Sequence, residues 1–258
     1  SPSGGYRLAY PGPSMTTVIG LDIGGTGIKG GVVDLDGGVL VGERVYVPTP
    51  QPPVPETMVA TAAEVVASLD HPGPVGVGFP AVIEDGFVWT ASNIDRAWVG
   101  QNVVGLLQDA TGREVRVAND ADCAALCEAR YGPARGVGGV VLVVTFGTGI
   151  GSGVLSDGRL VPNVELGWLE FEGHYPCESH FSARAKTEEG LTWEEWVDRA
   201  NRFLGHVKRL FSPRLIVVGG GVTADWDEWA HLLDPELGVV RAGRVDDAGL
   251  VGAATLIG

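Results

Sequence analysis

Asn119 and Asp120 stand between a strand-like run that ends at Ala118 and an alanine-rich run that reads as a helix from Asp122 to Tyr131. A carboxylate at such a junction could accept the proton of an attacking sugar hydroxyl, with the helix N-terminus keeping Asp120 ionised. Read locally, the pair serves equally well as a helix N-cap. An ionised, low-pKa aspartate is a weak base, but phosphoryl transfer asks little of it. The transition state is loose, so orientation of the hydroxyl and late proton acceptance suffice.

Three glycine-rich loops could supply the matching anion site, because each follows an apolar run and leaves backbone N–H groups free at a strand end. The first is Asp22-Ile-Gly-Gly-Thr-Gly-Ile-Lys29, with Gly24, Gly25, Thr26 and Lys29 as phosphate contacts. The second is Thr145-Phe-Gly-Thr-Gly-Ile-Gly151, with Thr145, Gly147, Thr148 and Gly149 in that role. The third is Gly219-Gly-Gly221, with Gly220 and Gly221. Any one of them alone reads as a tight turn. Three together, two of them related by a repeat, favour phosphate. The Asp22 carboxylate could hold Mg²⁺ through water. Asn93, Asp95, Glu165 and Glu170 add the fixed polar groups that a sugar needs for its vicinal hydroxyls, although solvated carboxylates are the ordinary fate of Glu.

The elements that must position these residues follow from periodicity. Val18–Leu21, Gly30–Leu35, Val39–Val47, Val75–Phe79, Val115–Ala118, Val140–Val144 and Leu215–Val218 read as strands. Glu56–Leu69, Val103–Ala110 and Asp246–Leu256 read as helices, and Thr192 with Glu195 caps a long amphipathic one ending at Phe211. The aromatic stripe of that helix keeps core spacing. A shift of 123 positions lays Asp22 on Thr145, Gly24 on Gly147, Gly30 on Gly153 and Asp34 on Asp157, with strand, loop, strand and turn in the same order. Two related lobes are expected: residues 15–118 with a returning 245–258, and residues 119–244. Residues 1–14 have no periodicity and read as a disordered leader or a cloning remnant.

Composition removes other classes. The 258 residues include 40 glycines, but these alternate with Val, Ile and Leu, so they mark turns and close approaches rather than disorder. A net charge of −14 argues against general nucleic-acid binding. There is no GxxxxGK[ST], no in-register GxGxxG after a strand, no HExxH and no nucleophile elbow. Gly136–Ser156 is uncharged, yet its glycines and hydroxyls make it strand, loop, strand rather than a membrane span. Cys123, Cys127 and Cys177 form no CxxC and suit a reduced cytoplasm. Cys123 and Cys127 share one helix face among alanines and read as core. Cys177 with His174 and His180 lacks a fourth ligand, so zinc is not expected.

The segments Asp22–Gly30, Gly76-Val-Gly-Phe-Pro80, Asn119–Asp122, Thr145–Ser152 and Val217–Val222 resemble the ROK sugar kinases. Pro48–Pro52, Thr90–Asp95, Asp157–Gly167, Ser182–Ala185 and Leu191–Trp196 are similar to the polyphosphate-using glucokinases of that family. The resemblance covers residues 18–258 and implies an α/β, actin-like (RNase H-like) duplicated fold of two lobes with the site in the cleft. It implies phosphoryl transfer to the 6-hydroxyl of glucose from inorganic polyphosphate, or from ATP or GTP, with Mg²⁺, in a cytoplasmic homodimer that needs neither nucleic acid nor membrane. Asp120 matches the family's base, and Asn119, Asn93 and Glu165 match sugar-binding positions. Two residues depart from the pattern: Trp168 stands where the family has His after Glu-Leu-Gly, and Ala81 stands where it has Gly. Either could reshape the acceptor pocket. The alternatives are a mannose or amino-sugar acceptor, an ATP-only glucokinase, or a non-catalytic sugar-binding protein of the same fold.

Overall fold

The computed structural model describes residues 16–244 and 247–258. The proposed leader therefore lies outside the described residues, as does Asp246 at the expected start of the last helix.

Hairpin β1 (Thr17–Ile23) and β2 (Gly27–Asp34) closes on the first glycine loop, and β3 (Val39–Pro48) pairs with the free edge of β2. Helix α1 (Pro55–Ser68) starts with proline at its first turn, where the missing N–H costs nothing. It crosses to β4 (Val75–Phe79), which runs parallel to β1. The small hairpin β5 (Ile83–Glu84) and β6 (Phe87–Val88) precedes α2 (Val103–Thr111), which ends on Gly112 in the left-handed conformation. Strand β7 (Val115–Asn119) then joins β4, giving the order β3-β2-β1-β4-β7.

Helix α3 (Asp120–Tyr131) leads to the second sheet. Strands β8 (Val140–Phe146), β9 (Ile150–Ser156) and β10 (Arg159–Val161) form its antiparallel part. Helices α4 (Glu178–Phe181), α5 (Ala183–Glu189) and α6 (Trp193–Phe211) precede β11 (Leu215–Gly219). The chain then forms α7 (Trp226–Trp229), β12 (Val239–Arg241) and α8 (Ala248–Thr255). The second order, β10-β9-β8-β11-β12, repeats the first element for element. Strand β1 starts at 17 and β8 at 140, β2 at 27 and β9 at 150, which is the offset of 123 found in the sequence.

Each sheet has its own core. Ile19, Leu21, Val77 and Phe79 pack with Met58 and Val65 of α1 in one. Leu142, Val144 and Phe146 pack with Trp196, Phe203 and Val207 of α6 in the other. The capping box of Thr192 and Glu195 forms, and the aromatic stripe of α6 is core. Helix α8 lies back on β1 and β4 and against α3. That packing depends on missing side chains: a Cβ at Gly76 would fall on the Ala253 carbonyl, and one at Gly252 on the carbonyl of Cys123. Cys123 and Cys127 are fully buried beside it as small hydrophobes. Gly252→Ala should therefore lower stability by about 1–3 kcal/mol through overpacking, read from the urea midpoint. An unchanged midpoint would show that the two helices do not pack this closely.

Candidate active site

The glycine loops of both repeats converge on one cavity of about 350 Å³ at the strand ends, the size range of a small-molecule site. Gly24, Gly25 and Thr26 line one side; Thr145, Gly147, Thr148, Gly149 and Gly220 line another. Asn93, Asn119, Asp120, Glu165, Trp168 and Glu178 complete the wall. Thr49 fastens the first loop: its hydroxyl donates to the Gly24 carbonyl at 2.6 Å and its N–H to the Thr26 carbonyl at 3.1 Å.

Helix α3 begins two residues earlier than its sequence pattern suggests, and this separates the roles of Asn119 and Asp120. The Asn119 side-chain oxygen is the N-cap, accepting from the N–H groups of Ala121 at 2.8 Å and Asp122 at 3.2 Å. Its amide nitrogen donates to the Ala81 carbonyl at 3.2 Å and to Glu165 Oε1 at 3.4 Å. Asp120 is left facing the cavity, with one oxygen accepting from the Ala121 N–H at 2.8 Å.

The ROK family pattern matches residues 18–180. The chain belongs to the ROK family. It is 42% identical to polyphosphate glucokinase of Mycobacterium tuberculosis (strain H37Rv), over 94% of this chain and 92% of the relative. It is similar in structure to the inorganic polyphosphate/ATP-glucomannokinase of Arthrobacter sp. strain KM: TM-score 0.90 and 48% identity, over 94% of this chain and 98% of that one. A ROK glucokinase of Streptomyces griseus, solved with glucose and AMPPNP, matches with TM-score 0.79 and 27% identity over 93% and 98%. The duplicated α/β architecture is thus the actin-like fold of ROK sugar kinases.

Several residues singled out in the sequence stand elsewhere in this ROK chain. Asp95 accepts from the Ala97 N–H at 2.8 Å and caps the short turn Arg96–Trp98, outside the cavity lining. Glu170 is exposed and also outside it; the third carboxylate on the wall comes from Glu178. Glu178 accepts from the Ile150 N–H at 3.0 Å. A Cβ at Gly149 would collide with its carboxylate, and one at Gly167 would lie 3.0 Å from Oε2. Gly221 opens a 3₁₀ turn behind Gly220 and leaves the lining to it. Lys29 pairs with Asp22 at 3.6 Å and does not line the cavity. Ala81 lines the cavity beside Pro80 while packing with the first core, so a methyl stands at the acceptor wall where the family has glycine. Trp168 is 40% exposed at the rim, edge-on to Tyr175 with ring centres 6.3 Å apart.

Arg44, Arg184, Lys186, Arg199 and Arg202, candidate cations for a polyanionic donor, each have a partner. Arg44 meets Asp247 at 2.8 Å, Arg199 meets Glu189 at 2.6 Å, Arg202 meets Glu172 at 3.3 Å, and Lys186 lies 4.0 Å above the Trp193 ring. Arg184, with Glu188 at 3.9 Å, is tied to the second loop by its backbone N–H on the Gly147 carbonyl at 3.0 Å.

Electrostatics correct the sequence reading of Asp120. Its pKa is pushed up to about 7, first by burial and then by the charge of Asp22, with Glu165 adding to both. The Ala121 N–H at the start of α3 opposes this and loses. Burial also raises Asp22 against the pull of Lys29, and raises Glu165 together with the charges of Glu178 and Asp122. A raised folded-state pKa costs nothing where both states are protonated and becomes unfavourable as the unfolded chain ionises first. Asp120→Asn should therefore gain on the wild type as pH rises from about 4 to 7. By pH 8 it should be more stable by about 1–3 kcal/mol. Parallel stability curves in urea across that window would contradict the raised pKa.

Proposed function

We propose that this chain is a hexokinase that transfers a phosphoryl group from inorganic polyphosphate, or from ATP or GTP, to the 6-hydroxyl of glucose. The observation that carries this reading is the single cavity in which Asp120 faces the glycine loops of both repeats. Polyphosphate glucokinases at 42% identity and a polyphosphate/ATP-glucomannokinase at 48% support the donor and acceptor classes.

In this reading the two lobes are residues 15–118 with 245–258, and residues 119–244. Asn93, Asn119, Glu165 and Glu178 hold the hexose hydroxyls. Asp120 orients the 6-hydroxyl and takes its proton. With a pKa near 7 it is a better base than an ordinary aspartate, since half of it is ionised at neutral pH while its affinity for the proton is higher. The N–H groups of the Gly24–Thr26 and Gly147–Gly149 loops, with the hydroxyls of Thr145 and Thr148, meet the donor phosphates.

Asp22 stands outside the cavity lining, behind the first loop, and with Asp120 suits a divalent cation. Asp22 and Asp120 repel each other, with Lys29 as the cation that pulls on Asp22 most strongly. No group of three His, Cys, Asp or Glu side chains is placed for a metal among the described residues. Mg²⁺ on phosphoryl donors is held by one or two carboxylates with water and phosphate. Asp22 would hold it through water, where it would neutralise donor charge. Homodimerisation and a cytoplasmic setting complete the proposal. The three cysteines are unpaired and buried, and no helix among the described residues is long and apolar enough to cross a membrane.

Trp168 favours a second reading of the acceptor. An indole donates one hydrogen bond and accepts none, and it is larger than imidazole, so mannose or an amino sugar could fit the rim better than glucose. A panel of polyphosphate, ATP and GTP against glucose, mannose and glucosamine decides donor and acceptor; no product from any pair removes the kinase reading. Asp120→Asn should lower kcat by about 10²–10⁴-fold while the protein stays folded. In the wild type, kcat/KM should climb with pH and level off above about 7 as Asp120 ionises. Retained activity in the variant, or a flat profile through pH 7, removes Asp120 from the base role. Trp168→His should lower the KM for glucose if the rest of the pocket has the family shape, and an unchanged KM would mean that it has been rebuilt.

A further inference from the structure

Asn163 lies outside the residues assigned above, yet it joins the two halves of the chain beside the acceptor wall. Its backbone is left-handed, with φ 60°, a conformation asparagine tolerates better than most residues. In that pose it makes three hydrogen bonds in two directions. Its backbone N–H donates to Asp122 Oδ2 at 2.8 Å, on the first turn of α3. Its side-chain amide donates to the Ile83 carbonyl at 2.8 Å, and its Oδ1 accepts from the Ile83 N–H at 3.2 Å. The amide thus pairs with both backbone groups of Ile83 as a neighbouring strand would, on β5.

The same short segment carries Glu165. Its other side is also fastened: the Ser152 hydroxyl donates to the Val164 carbonyl at 2.5 Å and accepts from the Leu166 N–H at 2.9 Å. Glu165 is therefore held between two anchors, with Asn119 reaching it from α3. Ile83 and Ala81 belong to one stretch of the first half, and both are gripped by asparagines placed in the second-half wall or at its border. Of the two Asp122 oxygens, only Oδ2 has a partner; Oδ1 is buried without one. Asp122 thus offers Asn163 a single, directional acceptor.

We infer that Asn163 is a positioning residue for acceptor binding: by clasping Ile83 and Asp122 it fixes the Glu165 carboxylate and the acceptor side of the cleft. Its effect on acceptor KM rests on the kinase reading above; the clasp itself does not.

Two variants test this. Asn163→Gly keeps the left-handed backbone without strain and removes the amide. Asn163→Asp keeps an acceptor for the Ile83 N–H but loses the donor to its carbonyl. Both should raise the acceptor KM at least tenfold, with kcat within threefold and donor KM within twofold of the wild type. Amide exchange at Ile83 should accelerate at least tenfold in Asn163→Gly. A residue that served only the loop conformation would leave Asn163→Gly with a wild-type acceptor KM and a wild-type Ile83 exchange rate, and either result overturns the proposal. If Asn163→Gly fails to fold, Asn163→Asp carries the KM test: an unchanged acceptor KM overturns it. If the wild type phosphorylates no hexose, the kinase reading falls and Ile83 exchange alone decides the clasp.

Discussion

The site is organised around a carboxylate that must sit beside an anion. Asp120 lies in a cavity that it shares with Glu165, Glu178 and two phosphate-type loops, and it already feels the charge of Asp22. Bringing a polyanion there by means of further side-chain charges would pull Asp120 back to an ordinary, weak aspartate. Backbone N–H groups avoid this, because they are dipoles aimed at one point rather than full charges. In the proposed reading the glycine loops would serve the donor while Asp120 keeps a pKa of about 7.

That requirement explains why the chain needs two copies of the same unit. In each copy an antiparallel hairpin delivers its loop to the same end of the sheet, and the parallel strands beside it end level with that loop. Facing the two sheets towards each other puts two loops on one cavity. Helix α3 runs from this junction, so its N-terminus presents Asn119 and Asp120 to both halves. The glycines at Gly76 and Gly252 let α8 lie close enough to α3 and β4 to hold the first sheet against that helix.

Much of this was legible in the sequence because the determinants are local. Strand runs, the Thr192 capping box and the 123-residue offset depend on residues a few positions apart or on a pattern that repeats. The loops and Asn119–Asp120 were legible for the same reason. What failed depended on distance in the chain. The helix N-terminus beside Asp120 is visible in sequence, whereas Asp22 and the burial that outweigh it are brought there by the fold. Asp95 and Glu178 are the same kind of residue in one dimension; one is taken by the Ala97 N–H and the other reaches the cavity through the space left at Gly149 and Gly167. Asn163 sits inside a motif that carried the family resemblance, but its partner Ile83 comes from the other half of the chain.

The overall acidity takes on a different meaning in this light. In a chain with a net charge of −14, Lys29, Arg44, Arg199 and Arg202 are each paired with a carboxylate. In the proposed reading, the reacting end of a polyphosphate chain would be gripped by short-range N–H dipoles and by the neutralising cation. Interactions between exposed charges are largely screened beyond a Debye length of about 8–10 Å at ordinary salt, whereas those inside a concave site are screened far less. A donor site of this kind does not distinguish a polyphosphate end from the triphosphate of a nucleotide by charge. Discrimination between them has to come from what lies beyond the terminal phosphates, and Arg184, whose backbone N–H is tied to the second loop at Gly147, borders that region.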